Sequence, residues 1–227
     1  MRDVFFDFGG TLVHARRTML PIFRAAAARS GAEVPWARFL RANDAAWDAL
    51  WPTAAELVGA DPSFADRVHE RALREVGIDG PVDAIVRAVR EEAVAPRWHP
   101  PYPETVDVLR ALRTRGLRLH IVSNNVDYLP ELVRNLGWSD LFDSVTFSQE
   151  VGASKPDPRI FRKALERSGR SPPEVVHVGD SWEADILGAR AAGLASVWVN
   201  RTGRPSPSPV PAIRDLRGLL PMLSTER

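Results

Sequence analysis

The sequence predicts an α/β chain, a doubly wound parallel sheet interrupted near its start by an inserted α-helical cap domain, and three observations carry that expectation. Val4-Phe5-Phe6-Asp7-Phe8 is a short apolar run rich in β-formers that stops at Gly9-Gly10, the mark of a buried strand ended by a glycine turn. From about Thr18 to Val94 the apolar residues recur at helical spacing in Ala-rich segments. From Tyr102 onward strand-like and helix-like segments alternate, the rhythm of a parallel sheet with crossover helices on both faces. The expected division is a core of residues 1–14 and 97–227 and a helical cap of residues 15–96.

The cap segments Pro21–Ser30, Pro35–Trp51, Pro62–Val76 and Pro81–Val94 each open on a proline, whose fixed φ and missing N–H suit a first helical turn. In the second half, Glu104–Thr114 reads as a helix and Leu117–Ser123 as a strand. Val126–Leu136 reads as a helix whose Leu129, Leu132, Val133 and Leu136 share one face before Gly137 stops it. Ser144–Ser148 is the next strand, followed by a helix over Pro158–Ser168 with Asp157 as N-cap and Pro158 in its first turn. Val175–Gly179, Glu183–Ala192 and Ala195–Asn200 read as strand, helix and strand. Gly203–Pro211, with its Pro-Ser-Pro-Ser-Pro run, is a surface loop ahead of a short helix near Asp215–Leu223. This topology sets the cap beside the carboxyl end of the first strand, where ligands bind in such sheets.

Composition narrows the function classes. At ~150 residues per domain, 227 residues make one core plus a modest insertion. Cysteine is absent, which rules out a disulfide framework, thiol catalysis and zinc held by thiolates. The longest stretch without Asp, Glu, Lys or Arg, Ala191–Asn200, is far shorter than the ~18 residues a membrane-crossing helix needs. Met1-Arg2-Asp3 puts an acid where a secretory signal carries basic residues, so a cytoplasmic location is expected. Lys+Arg 30 against Asp+Glu 29 gives a net charge of +1, with no electrostatic case for a nucleic-acid partner.

Four polar clusters sit at the predicted C-terminal ends of strands: Asp7-Phe8-Gly9-Gly10-Thr11-Leu12, Ser123-Asn124-Asn125, Lys155-Pro156-Asp157-Pro158 and Gly179-Asp180-Ser181-Trp182-Glu183-Ala184-Asp185. Asp7, followed by two glycines that let backbone amides approach closely, is the nucleophile candidate: its carboxylate can attack phosphorus and form an acyl phosphate. A carboxylate and a phosphate dianion repel each other, so the site needs a divalent cation. Oxygens from Asp7, the Gly9 carbonyl and Asp180 suit Mg²⁺, and Asp185 is placed to reach back to the same ion. Lys155 supplies a compact positive charge, and the Ser123 hydroxyl donates to phosphoryl oxygens. Gly10, Thr11 and Asn124 are the expected substrate-binding residues.

In order and spacing these clusters resemble the haloacid dehalogenase (HAD) superfamily, in the branch with a helical cap inserted after the first motif. The resemblance covers nearly the whole chain and is strongest over Tyr102–Asn200. It implies a Rossmann-like core and Mg²⁺-dependent hydrolysis of a small phosphorylated metabolite through phospho-Asp7, with these same residues in these same roles. One position departs from the pattern. Phosphatases of this superfamily carry a second Asp two residues after the nucleophile, which protonates the leaving group and later activates water; here that residue is Gly9, and general acid–base help is worth roughly 10²–10⁴ in rate.

Several readings answer that gap. Dehalogenase relatives also lack the second Asp, but they need no metal and lack the acidic pair that Asp180 and Asp185 supply. Phosphonoacetaldehyde hydrolase relatives use a cap lysine, and residues 13–96 contain none. His14 is the nearest titratable residue able to carry a proton instead. A chain that binds Mg²⁺ and phosphate without turnover, acting through protein interaction, is the rival from another class. His69, His99, His120 and His177 show no metal-ligand spacing, and the last two are expected to be packed within strands. Trp36, Trp47 and Trp51 are expected in the cap core, with one of them a candidate pocket wall, and Arg16 and Arg17 on a solvated face.

Overall fold

The computed structural model describes residues 1–14, 19–56 and 63–223, so Arg16 and Arg17 lie outside it. Six strands, β1 (Asp3–Phe6), β2 (Arg118–Ser123), β3 (Ser144–Phe147), β4 (Val175–Gly179), β5 (Ala195–Val199) and β6 (Ala212–Ile213), form one sheet in the order β3-β2-β1-β4-β5-β6. Every pairing is parallel, with Phe5 of β1 opposite His120 of β2 and His177 of β4. The chain leaves the central strand β1 and returns first on one side of it and later on the other. This reversal opens a crevice at the carboxyl ends of β1, β2 and β4.

Alternation along β1 divides the core in two. Val4 and Phe6 point to the face covered by α5 (Thr105–Thr114) and α6 (Leu129–Asn135), packing with Leu109, Leu112 and Leu132. Phe5 points to the opposite face, against Ile160, Phe161 and Ala164 of α8 (Pro158–Ser168) and Ala189 of α9 (Gly188–Ala191). Strands buried on both faces read as continuous apolar runs, as β1 does. The Asp157 side chain caps α8 by accepting from the Arg159 amide at 2.8 Å, as its position predicts.

The insertion consists of α1 (Leu20–Arg29), α2 (Trp36–Glu56), α3 (Phe64–Glu75) and α4 (Val82–Ala93). Phe23, Phe39, Leu73, Ile85 and Val89 form an apolar cluster of their own, and Ala46, Phe64 and Val68 a second. Trp36 packs edge-on against Phe39 and Trp47 against Phe64; the Trp51 side chain is outside the described set. Within this layer the buried His69 pairs with Asn43 at 3.0 Å, and burial, helped by Arg90, pushes its imidazole down to about 4.

Three stretches differ in detail from expectation. The predicted helix Glu183–Ala192 begins instead as a wide π turn, Trp182–Leu187, and only Gly188–Ala191 is α-helical. The short β6 follows the predicted loop Gly203–Pro211 unannounced, two residues being too few to show a period. The expected helix near Asp215–Leu223 is a 3₁₀ turn over Leu216–Gly218 running into a short α10 (Leu219–Met222).

At the amino end of the sheet, Asp3 is fully buried and collects four donors. Arg118 reaches it through Nε at 3.2 Å and Nη2 at 2.6 Å, Arg170 through Nε at 3.0 Å and His120 through Nε2 at 3.0 Å. His120 is thus buried within its strand, with Ser144 Oγ 2.8 Å from its other nitrogen. Removing one partner of a buried ion pair costs about 3–5 kcal/mol. Asp3→Asn is therefore expected to lower unfolding free energy in urea by about 3 kcal/mol; a loss under about 1 kcal/mol, the size of a surface pair, would mean that the arginines relax into water at no cost.

Candidate functional site

At the carboxyl edge of the sheet the predicted residues converge. Asp7 follows β1 directly, and its amide donates to the Val178 carbonyl at 2.9 Å, which locks the start of the Asp7 turn onto β4. Its buried carboxylate accepts a hydrogen bond from Lys155 Nζ at 2.7 Å, and the same ammonium donates to Asp185 Oδ1 at 2.6 Å. Lys155 does not close a strand, as its cluster was expected to. After β3 the chain makes the short helix α7 (Ser148–Val151) and a loop before the lysine, which Asn124 then holds in place. The Asn124 side chain donates to the Lys155 carbonyl at 3.0 Å and accepts from the Lys155 amide at 2.6 Å.

Asp185 is carried by the π turn. Both its own amide and that of Ile186 donate to the Ser181 carbonyl, at 3.0 and 3.2 Å, and the Ser181 hydroxyl accepts from the Ala184 amide. The widened turn brings Asp185 back over the end of β4, where Oδ2 accepts from the Ser181 amide at 2.9 Å and Oδ1 lies 3.0 Å from His177 Nε2. Such turns occur frequently at functional sites. Gly179 makes this possible, because a Cβ there would lie 2.2 Å from Asp185 Cγ. Gly10 does the same for Asp180: its φ is +87°, and a Cβ would lie 2.4 Å from Asp180 Oδ2. Thr11, fully buried, sends its hydroxyl to Asp180 Oδ1 at 3.5 Å.

Asp7, Asp180 and Asp185 offer carboxylate oxygens that all lie within 4.8 Å of one another. One ammonium against three carboxylates leaves two negative charges uncompensated, and the ionisations respond. Burial raises Asp7 above its ordinary range despite the opposing Lys155. Burial, with Asp7 and Asp185, pushes Asp180 up to about 7. Burial alone would raise Asp185, but the Lys155 ammonium and the His177 hydrogen bond hold it well below the usual carboxylate range. Burial would likewise depress Lys155, yet Asp185 and Asp7 outweigh it and lift the ammonium to about 12. An all-oxygen, electron-rich cluster of this kind matches the preference of a hard divalent cation such as Mg²⁺.

A cavity of about 310 Å³ opens over the cluster, lined by Asp7, Gly9, Ser123, Asn124, Asn125, Lys155, Asp180, Ser181, Ala184 and Asp185. His14 is not among these residues; its ring stacks on Tyr102 with centroids 4.0 Å apart. A larger cavity of about 500 Å³ shares Asn124 and Asn125 with the first and continues to Trp47 and Asp48 of α2, so Trp47 is both cap core and cavity wall. Beside it Arg90 of α4 donates to Asp127 at 2.9 Å and to Asp66 at 3.2 Å, tying the helical layer to the sheet layer.

Sequence reasoning missed Arg201. This residue donates to the Thr11 carbonyl at 2.9 Å and to Glu104 at 2.8 Å, and lies 3.3 Å over the Tyr102 ring, pinning the Gly10–Thr11 turn. One arginine among 28 gives no signal by itself.

A parallel sheet with a helical insertion after its first strand, and acid, amide and lysine motifs meeting at its carboxyl edge, is the arrangement of an α/β hydrolase. The family model for haloacid dehalogenase-like hydrolases matches residues 1–193, and the chain belongs to that family. A phosphoserine phosphatase of Thermus thermophilus is 40% identical over 196 residues, covering 81% of this chain and 76% of the relative. A glyceraldehyde 3-phosphate phosphatase of Methanopyrus kandleri is 34% identical over 164 residues, covering 70% of this chain and 69% of the relative. Among solved structures, a 2-haloacid dehalogenase of Pseudomonas syringae superposes with a TM-score of 0.78 at 25% identity over 98% of both chains. A HAD phosphatase of Thermococcus onnurineus gives 0.65, also at 25% identity, over all of both. No helix among the described residues is long and apolar enough to cross a membrane.

The raised Asp180 has a consequence for stability. Between the ordinary carboxylate value of 3.8 and about 7 the folded chain keeps a proton that the unfolded chain has released. Stability therefore falls as pH rises through that window, and the cost is complete above it. In a chelator, Asp180→Asn is expected to melt higher than the native protein at pH 8, with the difference fading by about pH 4 as both forms become neutral. Equal melting temperatures across the range would show that Asp180 ionises without penalty.

Proposed function

We propose that this hydrolase is an Mg²⁺-dependent phosphatase of a small phosphomonoester, working through a phospho-Asp7 intermediate. The observation that supports this reading best is the meeting of Asp7, Lys155, Asp180 and Asp185 from three separate stretches of chain. The curated relatives named above are phosphatases of small phosphorylated compounds, which supports the same substrate class.

Asp7, Asp180 and Asp185, with the Gly9 carbonyl, are the residues that would hold the metal, and the donor set fits: all oxygen, with three carboxyl groups gathered around one ammonium. When bound, Mg²⁺ would neutralise carboxylate charge and lower the repulsion between Asp7 and a phosphate dianion. Lys155 holds Asp7 by Oδ1, so the carboxylate is oriented before substrate arrives. A carboxylate oxygen of Asp7 attacks phosphorus, the new O–P bond forming as the ester P–O bond breaks. Lys155 and Ser123 stabilise the charge on the transferring group. Water then attacks the phosphorus of phospho-Asp7, releasing phosphate and restoring the carboxylate.

At Gly9 no side chain is present to protonate the leaving oxygen. The gap is chemical and not steric, since a Cβ at Gly9 would touch nothing within 4 Å. Gly9 is also the observation that favours the second reading, a Mg²⁺- and phosphate-binding protein with little turnover. The acidic pair Asp180 and Asp185 weighs against dehalogenation, which needs no metal.

p-Nitrophenyl phosphate, whose leaving group needs little protonation, is expected to be hydrolysed with Mg²⁺, not in a chelator, and not by Asp7→Asn. Absence of metal-dependent turnover on this ester would favour the binding protein. Rapid-quench mass spectrometry of the intact chain is expected to show a phosphate adduct at Asp7. Gly9→Asp is expected to raise turnover on alkyl phosphates at least about tenfold; an unchanged rate would show that another group already supplies the proton.

A further inference from the structure

His177 stands against the site without being used in the reaction above. It lies in β4, fully buried, on the face that Phe5 and Val175 share with α8, where an apolar side chain would pack. The Phe161 ring meets it edge-on at 5.1 Å. Nε2 is 3.0 Å from Asp185 Oδ1, while Nδ1 is buried with no hydrogen-bond partner among the described residues. Buried polar atoms are rarely left so, and a half-satisfied imidazole in mid-sheet is costly unless its one bond matters.

The partners of Asp185 fix the tautomer. Its Oδ1 already accepts from Lys155 Nζ at 2.6 Å and its Oδ2 from the Ser181 amide at 2.9 Å. The carboxylate is an acceptor only, so Nε2 carries the hydrogen and Nδ1 is a bare lone pair. A neutral ring in this form leaves one acceptor unpaired, a smaller cost than a buried unpaired donor and charge.

We propose that His177 is a positioning residue for the cation site. Its Nε2–H and the Ser181 amide grip the two oxygens of Asp185 from different sides, which fixes the rotation of that carboxylate toward Lys155 and Asp7 and thereby sets the affinity of the three-carboxylate cluster for a divalent ion. Residues that orient metal ligands in this way typically change affinity about 10–100-fold when removed. The inference rests on the Mg²⁺ reading given above.

Titration calorimetry with Mg²⁺ alone, no phosphoester present, tests it on the whole chain. His177→Phe, which keeps a ring against Phe161 and removes the donor, is expected to bind Mg²⁺ about 10–100-fold more weakly while remaining folded by circular dichroism. His177→Gln, which restores an N–H donor, is expected to recover most of that affinity. With p-nitrophenyl phosphate, the Mg²⁺ concentration for half-activation should shift more than kcat at saturating Mg²⁺. Native affinity in a folded His177→Phe, or equal losses in the Phe and Gln variants, would overturn the proposal. Long-range ¹H–¹⁵N correlation on the unaltered protein keeps it testable even if both variants unfold. A ring carrying hydrogen at Nε2 whose resonances move on adding Mg²⁺ is expected, and a ring with hydrogen at Nδ1 alone overturns the inference. Unaltered protein that takes up no Mg²⁺ overturns the metal reading and this inference together, whereas the other adverse outcomes overturn the inference alone.

Discussion

The ammonium of Lys155, buried between Asp7 and Asp185, is the interaction on which the site depends. Taking a lysine out of water costs several kcal/mol, and only close, well-oriented counter-charges offset it. Here the offset comes from residues 148 positions before it and 30 after it. The pair cannot form unless β1, the loop after α7 and the turn after β4 are all in place. The same bonds explain why Lys155 stays charged and Asp185 stays ionised while Asp180, with no cation of its own, holds its proton to about pH 7.

Much of this was legible in the sequence because the physics is local. Apolar runs ended by glycine mark strands, and the prolines and Asp157 mark helix starts. Asp7, Ser123 and Asp180 sit at strand ends, so their motifs survive as short words. What was not legible is set by tertiary geometry. A π turn and an α-helix share the same residue preferences, so nothing in Trp182–Leu187 announces the extra residue that brings Asp185 back to the sheet. The apolar run that marks β1 opens at Val4, so Asp3 gives no signal of its own: its buried role depends on Arg118, Arg170 and His120 arriving from other strands and loops. Arg201 and His177 were hidden for the same reason: each looks ordinary alone and acquires meaning from its partners.

Asn124, an expected substrate-binding residue, lines the cavity over the cluster and also holds Lys155. Its side chain is used on both sides by the backbone of Lys155. Thr11 likewise spends its hydroxyl on Asp180, and Gly10 is shaped by the space that Asp180 needs. The first and last motifs are thus fitted to each other through Thr11, Gly10 and Asp180.

The two adjoining cavities carry a consequence for how such a chain diversifies. Asn124 and Asn125 wall both of them, and altering Asn124 would disturb the anchoring of the lysine as well. Trp47 and Asp48 border the larger cavity alone and belong to a helix with its own apolar support. Substitutions at Trp47 or Asp48 therefore reshape the larger cavity from the inserted helices, away from the wall that Asp7, Lys155 and Asp180 form in the smaller one.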